Sequence, residues 1–169
     1  MPTAHPGPTP ASSAAARAAR LAAVRALPAQ ARAAVAGLTP AQLDTPYRAG
    51  GWTVRQVIHH IADAHMNALI RMKLVLAEEH PTLKPWDQDT WARLADSAQA
   101  PVEESLATLD GVHARMARVL EAAPPEAWSR GAFHPEAGEL TLERLVETYG
   151  GHGAHHVEQI LALRRARGW

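Results

Sequence analysis

The segment Thr141–Arg167 reads TLERLVETYGGHGAHHVEQILALRRAR. Thr141 is a good N-cap, and Leu142, Leu145, Val146 and Tyr149 follow it at helical spacing. The same face runs on through His152 and His156, which stand four apart and therefore one above the other on a helix. Gly150, Gly151 and Gly153 crowd the middle of this helix. Each weakens it by about 0.5–1 kcal/mol relative to alanine. A helix that bears this cost is expected to admit a close neighbour or to leave room for a site.

The rest of the chain must then supply elements that pack on this one. At 169 residues, one domain is the natural expectation, with a core large enough to need no disulfides. There is no cysteine, which excludes thiolate metal ligands and cysteine nucleophiles and fits a reducing, cytoplasmic setting. Seventeen basic residues balance seventeen acidic ones, so no global field draws the chain to nucleic acid or to an anionic membrane. No run reaches transmembrane length. Residues 1–12, rich in Pro, Ala and Ser, read as a flexible leader without the layout of a secretory signal. Ten histidines, several of them clustered, are the anomaly of the composition.

Residues 13–169 divide into four long amphipathic stretches. The first spans about Ser13 to Val35, with Pro28 expected to kink or divide it. Thr39-Pro40-Ala41-Gln42 is a capping box with proline at N1, opening a single turn. The second long helix starts at Thr53 with Gln56 at the box position and runs to about Glu79. Val54, Val57, Ile58, Ile61, Ala64, Ala68, Leu69, Met72 and Leu76 form its apolar face. His60 lies on that face and His59 about 100° away. His80 to Asp89 is a long crossover, with a short helix expected over Asp89 to Leu94. The third long helix runs from Pro101 at N1 to about Ala123. SRGAFHPEAGEL, residues 129–140, is an irregular hairpin or loop before Thr141. These stretches predict an all-α four-helix bundle, with Trp86, Trp91 and Trp128 capping its ends or anchoring its core.

His60 from the second helix and His152 and His156 from the last make a candidate metal triad. Neutral imidazole binds divalent transition metals, and three protein ligands leave a position open. The alternative is a set of separate histidines satisfied by side chains or water. No H-E-x-x-H occurs, and Glu158, two residues past His156, points away from the ligand face. Asp63 and His65 are candidates for orienting the ligands or moving a proton; their bland roles are an ion pair and a surface imidazole.

The run Gly51-Trp52-Thr53-Val54-Arg55-Gln56-Val57-Ile58-His59-His60-Ile61-Ala62-Asp63-Ala64-His65-Met66-Asn67 closely resembles the signature of the YfiT-like branch of the DinB-like superfamily. The likeness extends through Leu43-Asp44-Thr45-Pro46-Tyr47-Arg48, Phe133-His134-Pro135, the late histidine cluster and Gly168-Trp169, which is nearly everything after the leader. It implies a DinB-like bundle with up-down-down-up topology, a long crossover between helices 2 and 3, and a homodimer. It also implies metal ligation by His60, His152 and His156. The chain departs from the pattern at Ala64, where a serine is usual, and at Gly153, Ala154 and Gln159, where close relatives carry more histidines.

The family's hydrolase and bacillithiol S-transferase members point to two chemistries. The leading expectation is a transferase joining a low-molecular-weight thiol, such as bacillithiol, to an electrophile. Zinc or nickel would hold the thiolate, and Arg48 and Arg55 would position the thiol. The thiol must come from outside, since the chain has no cysteine. The alternatives are hydrolysis by metal-bound water and a non-catalytic metal-binding stress protein. Specific nucleic-acid binding is not expected from the neutral charge.

Overall fold

The computed structural model describes residues 13–169; the leader read over residues 1–12 lies outside them. In order the elements are α1 (Ala14–Val35), a one-turn α2 (Pro40–Leu43), α3 (Val54–Ala77), the short α4 (Gln88–Trp91) and α5 (Ala95–Gln99), and α6 (Val102–Ala122). A 3-10 turn at Pro125–Ser129, the hairpin β1 (Gly131–His134) and β2 (Gly138–Thr141), and α7 (Leu142–Arg167) complete the chain.

Local chemistry sets the helix ends. Ser13 caps α1, Thr39 and Thr53 close reciprocal capping boxes with Gln42 and Gln56, and Thr141 accepts from the Arg144 N–H. Each such cap stabilises by about 0.5–2 kcal/mol relative to alanine. Gly168 ends α7 at φ 68°, a left-handed conformation that glycine adopts without a Cβ penalty.

The four long helices form an all-α, four-helix-bundle-like core. α1 and α3 each pack against both α6 and α7. Arg25 pairs with Glu121 and Arg32 with Asp110 between α1 and α6, while Arg20 meets Glu143 between α1 and α7. His59 meets Ser105 and His65 meets His113 between α3 and α6, and Arg71 meets Tyr149 between α3 and α7.

Two apolar clusters fill the interior. One contains Leu27, Ala31, Val57, Ile58, Ile61, Leu109, Val157 and Ile160; the other contains Val24, Ala68, Met72, Met116, Leu142 and Tyr149. Fully burying each large aliphatic side chain contributes about 1.5–3 kcal/mol. Along every long helix the sequence passes from one cluster to the other at or near a histidine or a proline. A layer of imidazoles, His60, His65, His113 and His152, lies at that boundary, with neighbouring ring centroids 4.8–5.9 Å apart.

Several expectations need correction. Pro28 does not divide α1, which runs unbroken. Proline lacks the N–H that the Val24 carbonyl would otherwise receive, and the His113 Nδ1–H supplies it at 2.5 Å. The short helix expected over Asp89 to Leu94 is α4, ending at Trp91, and a second, α5, follows beyond the expected span. Pro101 is the N-cap of α6, one place ahead of N1. Residues 131–141 form a two-stranded antiparallel hairpin with Gly138 in the left-handed region (φ 74°). Strand β1 is tied to the crossover by Leu83 N–H to the Phe133 carbonyl at 2.8 Å and Phe133 N–H to the Pro81 carbonyl at 3.0 Å. Of the three glycines in α7, only Gly153 is pressed: a Cβ there would lie 2.3 Å from Leu27 Cδ2, whereas Gly150 and Gly151 face open space. Trp128 is a core anchor at 4% exposure, while Trp86 packs over His60 and against Trp91.

Candidate metal centre

α3 and α7 bring three imidazoles to one point. His60 Nε2 lies 2.9 Å from His152 Nε2, which lies 3.2 Å from His156 Nε2, and one nitrogen from each ring falls within 4.8 Å of the others. Nitrogens bound to one tetrahedral zinc at about 2.0–2.1 Å stand about 3.3 Å apart, so the spacing matches a shared ion.

The hydrogen-bond pattern fits the same reading. The Gln159 amide donates to His155 Nε2 at 2.9 Å, which turns its carbonyl oxygen to His156 Nδ1 at 2.8 Å. That oxygen accepts only from an N–H, so the proton of neutral His156 sits on Nδ1 and its Nε2 presents a lone pair. Two neutral rings share one proton easily, but three converging Nε2 atoms do not make two good bonds around the central His152. The Nδ1 atoms of His60 and His152 are buried with no hydrogen-bond partner among the described residues. Turning all three lone pairs toward a cation resolves the crowding, and the donor set fits the metal.

Burial keeps the rings neutral. His60 is pushed down to about 3, first by desolvation and then by His152 and His156. His152 is pushed down to about 4 by desolvation, then by His156 and His155. His156 is lowered by desolvation despite Gln159. Neutral imidazole is the metal-binding form. Trp52 packs on His60 at 4.6 Å and lies nearly parallel to His156 at 6.5 Å, and Trp86 stacks on His60 at 5.7 Å. These walls limit ring rotation. A cavity of about 490 Å³ opens over His152 and His156, bounded also by Tyr47, Arg48, Trp52 and Asp89 among others.

The chain matches the family model described as the DinB superfamily over residues 23–160. This chain belongs to the DinB superfamily. Within the superfamily it falls in the YfiT-like branch. It is 48% identical over 151 residues to a Geobacillus kaustophilus protein named "Putative metal-dependent hydrolase", covering 88% of this chain and 84% of that one. It is 46% identical over 144 residues to "Putative metal-dependent hydrolase YfiT" of Bacillus subtilis, covering 85% and 81%. The solved structure of Bacillus subtilis YfiT, described as "a probable metal-dependent hydrolase with an unusual four-helix bundle topology", superposes with a TM-score of 0.92 at 41% identity over 97% of this chain and 94% of that one. TT2238, a four-helix bundle protein, superposes at 0.62 with 23% identity over 86% and 98%, a likeness of fold.

The other DinB residues singled out from the sequence lie at different distances from the triad. His65 is 1% exposed, its ring centroid 5.9 Å from that of His152. Its tautomer follows from Pro28: His113 spends Nδ1–H on Val24, so its Nε2 accepts from His65 Nδ1–H at 3.0 Å. His65 Nε2 is then a buried lone pair beside Gly153 with no hydrogen-bond partner among the described residues. Asp63 is held up at about 6 by burial and then by Asp96 of α5, so it faces the crossover. Arg48 lines the cavity over the imidazoles and donates to Tyr47 Oη at 2.9 Å. Arg55 instead spends its guanidinium on Asp44 at 2.7 Å and the Ala100 carbonyl at 2.8 Å. His59 meets Ser105 and the Ala100 carbonyl, His155 is exposed, and Glu158 pairs with Arg165. The sequence reading missed Trp52 and Trp86 as walls. It also missed Arg71, which lies eleven residues past His60 and so about three turns along α3.

Proposed function

We propose that this DinB-superfamily chain is a metal-dependent hydrolase whose ion, zinc or nickel, is held by His60, His152 and His156. The convergence of three Nε2 lone pairs beneath an open cavity is the observation behind this reading. The names of relatives 46–48% identical support hydrolysis over the thiol transfer expected from the motif alone. When bound, such a metal supplies Lewis acidity and lowers the pKa of a bound water. The residues do the rest. The aromatic walls hold His60 and His156, Gln159 also sets the tautomer of His156, and Arg48 offers a cation at the cavity edge for a polar leaving or acyl group. His65 is assigned a proton-transfer role beside His152, and Asp63 an outer one toward the crossover.

The test is turnover of a panel of carboxylic and phosphoric esters and amides in labelled water. Hydrolysis predicts solvent oxygen in the product, loss of turnover on chelation and recovery on adding zinc or nickel. Equal rates before and after chelation overturn it. Transfer of a low-molecular-weight thiol, bacillithiol included, to an electrophile is the second reading. Arg48 beside His152 and His156 favours it, since it could hold an acidic thiol; Arg55, tied to Asp44, is less available. Product formation that requires thiol selects it. Stoichiometric metal with no turnover selects the stress-protein reading.

The up-down-down-up order belongs to the same proposal. Pairs between α1 and α6 run in opposite directions (Arg25–Glu121, Arg32–Asp110), whereas those between α3 and α6 run the same way (His59–Ser105, His65–His113). Those between α3 and α7 run opposite (His60–His156, Arg71–Tyr149). The crossover through α4 and α5 joins α3 to its parallel neighbour. We also take residues 13–169 as one domain, acting in the cytoplasm as a homodimer, with light scattering as the check on assembly. Among the described residues no helix is long and apolar enough to cross a membrane.

A further inference from the structure

A second polar cluster borders Trp86. It faces a cavity of about 630 Å³ lined by Arg71, Pro85, Trp86, Asp87, His134 and Glu136 among others. Arg71 donates to Tyr149 Oη at 2.5 Å and to the Lys84 carbonyl at 2.6 Å, and a further N–H points at His134 Nε2 at 3.2 Å. These partners are neutral, so among the described residues no carboxylate pairs with the guanidinium where it lines the cavity.

The His134 ring is the telling group. It is 7% exposed, and two N–H groups converge on it: Arg71 at Nε2 and the Glu136 backbone at Nδ1, each at 3.2 Å. A neutral imidazole has one lone pair, and a charged one has none. Whichever tautomer is drawn, one converging N–H meets another N–H. A buried donor left unmet costs about 1–3 kcal/mol. In the tautomer in which Nδ1 accepts from the Glu136 N–H, two residues along the chain, Nε2 carries the ring proton. His134 Nε2–H and an Arg71 N–H are then two donors facing each other at 3.2 Å on the cavity wall.

We propose that Arg71 and His134 form an oxyanion subsite that takes a substrate carboxylate. Its two oxygens would accept from both donors and so remove the mismatch, and the guanidinium fork suits a planar carboxylate. Asp87 and Glu136 also line the cavity. Their negative charge disfavours a doubly charged phosphate more than a singly charged carboxylate. The subsite is joined to the metal centre. Trp86 lines this cavity with one part of its surface and stacks on His60 with another, and Tyr149 lies one turn before His152 with ring centroids 6.4 Å apart. The ligand is therefore an elongated carboxylate whose acid group docks at Arg71 and whose reacting group reaches across Trp86 to the imidazoles. Only the naming of that ligand as substrate rests on the hydrolase reading; the carboxylate site itself does not.

The experiment is calorimetric titration of the full-length, metal-loaded protein with benzoate and, separately, inorganic phosphate, with nitrogen-15 spectra of the histidine rings alongside. Benzoate is expected to bind saturably, to shift the His134 ring signals, and to bind more tightly than phosphate. Arg71→Lys keeps the charge without the fork, and His134→Gln keeps a polar side chain without the ring. Each is expected to weaken benzoate about tenfold while retaining the fold by circular dichroism. In His152→Ala, benzoate binding is expected to survive. Unmoved His134 signals, phosphate binding tighter than benzoate, unweakened binding in both variants, or loss of binding in His152→Ala would each overturn the subsite. Benzoate binding as expected in a protein that retains no metal would support the subsite and sink the hydrolase reading alone.

Discussion

At the scale of single residues, the imidazoles of the triad are not held alike. His156 has Gln159, while His60 has only aromatic walls. His152→Ala should lower zinc affinity by at least about a hundredfold, since it removes the central ligand, with helical content retained. Gln159→Leu should cost about 10- to 100-fold, because it frees the ring and its tautomer without touching a ligand nitrogen. Competition with a chromophoric chelator measures both, and wild-type affinity in His152→Ala would remove it from the site. The positions of these histidines were readable in the sequence, as a four-residue spacing on one helix and a histidine on the apolar face of another. The Arg71–His134 meeting was not. It joins residues 63 apart through a hairpin whose placement depends on the crossover, and no local spacing encodes such a contact.

At the scale of elements, α1 and α7 show how a breaker is accommodated. Proline at 28 was expected to interrupt its helix because the rule concerns the chain's own hydrogen bonds. The bond that rescues Val24 comes from α6, which no reading of α1 alone contains. The two groups should therefore be coupled. His113→Leu leaves the Val24 carbonyl unmet, and Pro28→Ala restores an intrahelical donor to it. Pro28→Ala should thus stabilise the His113→Leu protein by about 1 kcal/mol more than it does the wild type, measured by a urea double-mutant cycle. Purely additive values would mean that His113 does not serve that carbonyl. In α7 the glycines separate by environment. Gly150→Ala and Gly151→Ala should each stabilise by about 0.5–1 kcal/mol, because the added methyl meets nothing. Gly153→Ala should destabilise by about 1 kcal/mol, since the overpacking against buried Leu27 outweighs the gain in propensity. The same denaturation curves test both signs. The sequence showed that these glycines weakened the helix but not which one a neighbour required.

At the scale of the whole molecule, the buried neutral histidines tie stability to pH. His59, His60, His65, His113, His152 and His156 all sit below the ordinary imidazole value, chiefly through desolvation. The unfolded chain therefore binds more protons than the native one just below pH 6.5. The stability these rings contribute is complete above that value and is lost as pH falls toward their folded values, about 4 for His152 and about 3 for His60. Asp63 has the opposite sign: its contribution is present below 3.8 and lost as pH rises through about 6. One carboxylate does not offset six rings. Metal-free protein should lose on the order of 1 kcal/mol per pH unit for each strongly shifted ring below pH 6.5, seen as a falling Tm in calorimetry. A Tm constant from pH 7 to 5 would mean that the rings are solvated. The bundle was legible at this scale because four apolar stripes and their caps are local signals; the hairpin was left open because the twelve residues 129–140 offered no period.

The imidazole layer between two greasy halves has one more consequence. A seam of polar rings is a poor conductor of cooperativity, so the half holding Ile58 and Ile160 and the half holding Met72 and Leu142 should breathe separately. Amide deuterium uptake in the metal-free chain would then show two protection plateaus, with the boundary at His60 to His65 on α3 and near His152 on α7. An ion gripped from both helices would act as a rivet through the seam and merge the plateaus into one.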